Sequence, residues 1–287
     1  MSQFQTEHAS RKVVAAVTDD EATRAVLWVA AAIADLYGAT VEGVHVGEDH
    51  AALAAAAQDA GVALRTVAGR PVEALARSAA AEDVVAVVIG ARGARAGKRP
   101  TGSTALRLIT MLRKPVVVVP PAAAPGRRIE SVLVPLDGTT ASAAALRETV
   151  EFARSATAEI TVAHVQERDS LPPFDDHRAH EVDAWSKEFI ARYCPSATDA
   201  TLELRVRDGE PDEHVLDILR RSRCDLVALG WSQDLAHGRA AVVRRMLAES
   251  PVPVLLTPTS ADPDFTPAAA DTADRPAARP NGAPAGA

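Results

Sequence analysis

Cysteine is nearly missing from this chain, with two residues, Cys194 and Cys224, in 287. Two isolated thiols in no C-x-x-C spacing exclude a disulfide framework, a zinc ribbon and a thioredoxin-type redox pair. They read as free thiols in a reducing compartment. Positive charge is in deficit, 31 Lys and Arg against 38 Asp and Glu, for a formal charge of −7. A general nucleic-acid binder carries a basic domain instead. The small basic patches, such as "RRSRC", have no aromatics interleaved for base stacking. Long apolar runs are also lacking. The longest, such as "AVLWVAAAIA", fall short of the ~20 residues that span a bilayer. The opening "MSQFQTEHASRKVV" has neither the apolar stretch nor the cleavage site of a signal peptide. A cytoplasmic protein without membrane attachment is expected. No G-x-S-x-G and no Cys–His constellation supplies a hydrolase nucleophile.

What the chain does contain is alternation. Short continuous β-branched runs, the mark of parallel strands buried on both faces, recur ten times. The first half offers "KVVAAVTD", "VEGVHV", "LRTVAG", "VVAVVIG" and "PVVVVP". The second offers "SVLVPLDG", "ITVAHV", "LELRVRDG", "DLVALG" and "VPVLLTP". Ala-rich or amphipathic segments such as 21–37 and 140–155 lie between them, so βαβ crossovers and a parallel sheet follow. The halves also match each other. Asp19 aligns with Asp137, His45 with His164, Pro71 with Pro211 and Gly90 with Gly230. The spacing widens between the second and third strands, which places an insertion at about residues 167–200 of the second half. One α/β domain over residues 11–121 and a second over 129–258 are expected, joined by "PAAAPGRR". The tail, 260–287, is rich in Pro and Ala and poor in large apolar residues, and is expected to be disordered.

The ordered strand-end motifs resemble those of the universal stress protein family in its tandem form. "VTDD" and "PLDG" follow the first strands, "HV" ends the second, "GRP" and "GEP" enter a helix, a glycine loop follows the fourth strand, and "KPVVVVP" forms the fifth. The Ala- and Arg-rich composition is similar to that of actinobacterial members. The resemblance implies two tandem Rossmann-like (HUP-type) five-stranded parallel sheets of order 3-2-1-4-5. They would be packed as a pseudo-dimer through their apolar fifth strands, and two chains could pair further as a homodimer. In that order the winding reverses between strands one and four, where open α/β sheets bind ligands. Asp19 and Gly90 stand at those two strand ends.

Residues 87–109, "VVIGARGARAGKRPTGSTALRLI", decide what such a crevice could hold. Glycine lets backbone N–H groups approach an anion, and a helix start adds unpaired donors and a favourable dipole. Here "GSTALRLI" supplies the helix start, and Arg92, Arg95, Lys98 and Arg99 supply positive charge. The loop is not a Walker A motif, because Arg99 stands where Ser or Thr is required, and no G-x-G-x-x-G is present. It is similar to the family pattern G-x2-G-x9-G-[ST], with eight residues rather than nine between Gly93 and Gly102.

By resemblance, Asp19 and Val46 would contact adenine or ribose, and Gly90, Arg92 and Gly93 the ribose and phosphates. Gly102, Ser103 and Thr104 would hold the phosphates of ATP, with Mg²⁺ as a companion ion. Asp19 could equally cap the first helix. His45 and His164, inside apolar strands, read as satisfied core histidines. In the second half Gln233 replaces the next glycine, Arg239 follows Gly238, and Asp234 brings the wrong sign, so ATP is not expected there. His177 and His180 in "DDHRAHEVD" read as a solvated helix face rather than a metal site. The expected function is non-enzymatic: an ATP-binding stress-response regulator with at most slow hydrolysis and an unknown protein partner. The alternative is a nucleotide-independent interaction or scaffold protein of the same fold. An AMP-forming enzyme on a related fold would need a catalytic signature that is not found.

Overall fold

The computed structural model describes residues 11–91, 101–123, 126, 128–166, 178–195, 201–206, 211–235 and 240–259. The first half runs β1 (Lys12–Val17), α1 (Ala22–Tyr37), β2 (Thr40–Val46), α2 (Ala51–Asp59), β3 (Ala63–Val67), α3 (Pro71–Ala79), β4 (Val84–Gly90), α4 (Ser103–Met111) and β5 (Val116–Val119). The second repeats it as β6 (Ser131–Pro135), α5 (Thr140–Ser155), β7 (Glu159–Gln166), α6 (Arg178–Tyr193), β8 (Thr201–Val206), α7 (Pro211–Arg221), β9 (Leu226–Trp231), α8 (Ala241–Glu249) and β10 (Val254–Pro258). All ten strands expected from the β-branched runs are present. The insertion in the second half contains α6, longer than its counterpart α2. The expected disordered tail, 260–287, lies outside the described residues.

Burial explains the runs. β5 is "VVVV" with all four residues buried, and in β1 only Lys12 and Ala16 are partly exposed. A helix on each face must therefore cover every such strand. α1 presents Val26, Leu27, Ala30, Ile33 and Tyr37 inward at helical spacing. It stops at Gly38, whose left-handed φ of 59° lets Ala39 N–H donate to Ala34 O at 2.8 Å.

The strands join in one sheet, β3-β2-β1-β4-β5-β10-β9-β6-β7-β8. Each half keeps the expected order 3-2-1-4-5 and parallel pairing. The halves pair through their fifth strands as expected: β5 and β10 run antiparallel, Val118 opposite Val254 and Val116 opposite Leu256, so the two five-stranded sheets become one. The fifth strands would otherwise be exposed apolar edges, so pairing them removes both.

Two cores flank this sheet, and each crosses the junction. One gathers residues of α1, α5 and α6 over one face, and the other residues of α3, α4, α7 and α8 over the opposite face. On the first face Tyr37 Oη and Thr149 Oγ1 share a hydrogen bond at 3.0 Å, and the Tyr37 and Phe152 rings meet at 4.7 Å. Among the described residues no helix is long and apolar enough to cross a membrane.

Candidate functional site

β1 lies between β2 and β4, with Ala16 opposite both Val44 and Ile89. The chain winds outward in opposite directions from this pair, and in open α/β sheets ligands bind beyond the carboxyl ends of such strands. Three neighbouring strands deliver expected site residues to that edge. Asp19 follows β1, Val46 ends β2 and Gly90 ends β4.

The turn after β1 is held by its own polar groups. Asp20 Oδ1 accepts from Ala22 N–H at 2.9 Å, and its Oδ2 accepts from Thr18 Oγ1 at 2.7 Å. Thr23 returns a hydroxyl hydrogen bond to Thr18 O. The N-cap position of α1 is Glu21, and the side chain that bonds the helix's first N–H is Asp20, so Asp19 is not the cap. The Asp19 carboxylate instead meets His50 Nε2 at 3.1 Å, ahead of α2, with both side chains about half exposed. An exposed pair of this kind contributes at most about 1 kcal/mol, so a ligand could displace it.

His45 and His164 make the same bond in the two halves. His45 Nδ1 donates to Val17 O at 3.1 Å, and His164 Nδ1 donates to Leu136 O at 2.8 Å. Each imidazole pins the end of the second strand to the end of the first, which is a structural task. Val46, half-buried, packs against the core beneath α3 and α4.

The two ends of the glycine loop are tied together. Ala91 N–H donates to Val119 O at 2.9 Å, and Gly102 N–H donates to Ala91 O at 2.7 Å. Gly102 is extended, with φ −72° and ψ 154°, and α4 begins at Ser103 without a side-chain cap. Gly102, at the cap position, has no side chain to offer, so among the described residues no side chain caps the first N–H groups of α4, the arrangement that favours an anion. Ser103 is exposed and Thr104 half-buried. Arg92 and Gly93, with Arg95, Lys98 and Arg99, lie outside the described residues.

The second half holds an open cleft of about 770 Å³ in the equivalent place, lined by Asp137, Ser142, His164, Trp231, Ser232 and Val242 among others. Its chemistry differs from that of the first half. Asp137 Oδ1 accepts from Thr139 N–H at 2.9 Å and Oγ1 at 2.7 Å, so the carboxylate is engaged by its own turn. Where α4 presents Gly102, Ser103 and Thr104, α8 presents Ala240, Ala241 and Val242. Gly230 has a packing reason of its own, since a Cβ there would lie 3.1 Å from Ser142 Cα and O. Two contacts carried no sequence signal, although the sequence marks one of the residues, Gln233, as a glycine replacement. One is His50 beside Asp19. The other is Gln233, whose Nε2 donates across the junction to Ile109 O at 3.1 Å and Leu112 O at 2.7 Å.

Comparison with known proteins agrees with this architecture. A family model described as "Universal stress protein family" matches residues 48–120 and 128–258. A universal stress protein from Archaeoglobus fulgidus superposes with a TM-score of 0.62 at 17% identity, over 88% of this chain and 97% of that one. A putative universal stress protein from Pseudomonas aeruginosa superposes with a TM-score of 0.60 at 14% identity, over 87% and 94%. A second Pseudomonas aeruginosa protein, described as functionally unknown, gives 0.59 at 14% over 88% and 93%. At these identities the solved structures speak for the fold alone. Comparison with curated protein sequences finds no match.

Proposed function

The chain belongs to the universal stress protein family, and from that premise we propose that its first half binds ATP as a signal rather than as fuel. The observation that carries this reading is the uncapped start of α4, tied through Gly102 N–H to Ala91 at the end of β4. The helix N–H groups, which no described side chain caps, the Ser103 and Thr104 hydroxyls and the basic residues of the preceding loop suit a polyphosphate. Asp19 and Val46, at the ends of β1 and β2, would take the adenosine end. Gly90, Arg92 and Gly93 would lie along the ribose and first phosphates, and Gly102, Ser103 and Thr104 at the far phosphates. Residues 101–106, "TGSTAL", contain no carboxylate, so Mg²⁺ would be held by phosphate oxygens with hydroxyl help.

The function is regulatory in this reading. A hydrolase needs a general base within reach of the attacking water, and the residues assigned to the far phosphates, Gly102, Ser103 and Thr104, include none. A nucleotide-independent role fits the second half better, where Ala240, Ala241 and Val242 replace the hydroxyl-bearing helix start.

Calorimetric titration of the full chain with ATP, with and without Mg²⁺, tests this. One ATP per chain is expected. Ser103→Ala should weaken binding about tenfold, the loss of one hydrogen bond to a charged group, and Gly102→Val should weaken it further by crowding the phosphates. No binding below millimolar ATP would overturn the nucleotide reading. Two ATP per chain would overturn the exclusion of ATP from the second half.

A further inference from the structure

The loop after β9 is the counterpart of the glycine loop after β4, yet its described residues are tied down by the protein itself. Trp231 O accepts from Thr259 N–H at 2.8 Å and from Thr259 Oγ1 at 3.1 Å. Leu235 O accepts from Arg244 Nη2. Between these anchors stands Gln233, with φ at 59°. That left-handed conformation disfavours any residue with a Cβ by about 1 kcal/mol or more. The first half has glycine, Gly93, at the aligned position. A glutamine kept in a glycine's conformation implies that its side chain returns something glycine cannot.

Its two hydrogen bonds show what that is. Ile109 and Leu112 end α4, and a helix leaves its last carbonyls without backbone partners. Both residues are buried, Ile109 at 1% and Leu112 at 8% exposure, so water is a poor substitute. The carboxamide offers two N–H donors, matching two acceptors. The helix held in this way is nine residues long, about 14 Å from end to end. Its other end carries Gly102, Ser103 and Thr104.

We propose that Gln233 is a positioning residue of the first-half site: the loop of the second half, without phosphate chemistry of its own, clamps the carboxyl end of α4 and so holds its amino end in place for the nucleotide. The clamp acts on a neighbour's site across the β5–β10 junction, and its positioning role rests on the ATP reading above. It also gives the second loop a use in which glycine would be the wrong residue.

Hydrogen exchange and ATP titration of the full chain, for wild type, Q233A, Q233G and Q233K, decide the matter. Q233A and Q233G should speed exchange in the peptide covering residues 105–112 and weaken ATP about fivefold, the factor that about 1 kcal/mol gives. Q233K, with ammonium donors of similar reach, should restore both. Glycine adopts this φ without strain, so Q233G separates the turn from the side chain. Unchanged exchange in Q233G would overturn the clamp. Faster exchange with unchanged ATP affinity would overturn its positioning role. If the wild-type chain takes up no ATP, the nucleotide reading and the positioning role fall together, while exchange still decides the clamp.

Discussion

Tyr37 stands where the two halves meet, its phenol buried against Thr149. Burial pushes its pKa up from 10.0 to about 12, against a smaller opposing effect of the Thr149 hydrogen bond. Between those values the unfolded chain has lost the phenolic proton and the folded chain has kept it. The stability this provides is fully present below pH 10 and is lost as pH rises towards 12. Urea melts from pH 8 to 12 should therefore fall more steeply for wild type than for Tyr37→Phe, which has no proton to lose. Parallel profiles would refute the buried phenol. Burial likewise pushes the Cys194 thiol up to about 11, which marks it as a packing residue rather than a nucleophile. At this scale the sequence is readable where a residue's task is repeated. His45 and His164 sit in matching apolar strands and make matching bonds. It is unreadable where one position decides, as with the adjacent carboxylates Asp19 and Asp20, because helix starts are set by local geometry within a residue or two.

Strands are legible for a simple reason: a parallel strand covered on both faces has almost no polar positions, so its run stands out from the polar turns around it. Gly230 is less transparent. In the sequence it reads as the relic of a phosphate loop, whereas in the fold it lets α5 pass close over β9. A methyl group there would meet Ser142 Cα and O at 3.1 Å, backbone atoms that cannot rotate away. Gly230→Ala should cost about 1–3 kcal/mol, seen as a lower urea midpoint with unchanged ATP stoichiometry. A neutral substitution would show that the helix can shift, and the glycine would need another explanation. Gln233 was hidden for the opposite reason. Its partners are more than a hundred residues away in sequence, and no periodicity reports a bond that a side chain makes across a domain junction.

Two domains joined by a short connection are what the repeat suggests, and a linker of that kind usually permits independent unfolding. The assembled molecule argues otherwise. Val117 and Leu255, facing each other across β5 and β10, are both fully buried in one core, and Val118 and Val254 are both fully buried in the other. Separating the halves would expose both cores and two apolar strand edges at once, so partial unfolding of either half destabilises its neighbour. A single cooperative transition is expected, with amides of β1 and of β6 sharing one urea midpoint in native-state hydrogen exchange. ATP bound to the first half should then raise both midpoints together, since a ligand stabilises the whole unit that unfolds with its site. Earlier exchange in β6 than in β1, or an ATP-induced rise confined to β1, would show that the continuous sheet is not a single thermodynamic unit.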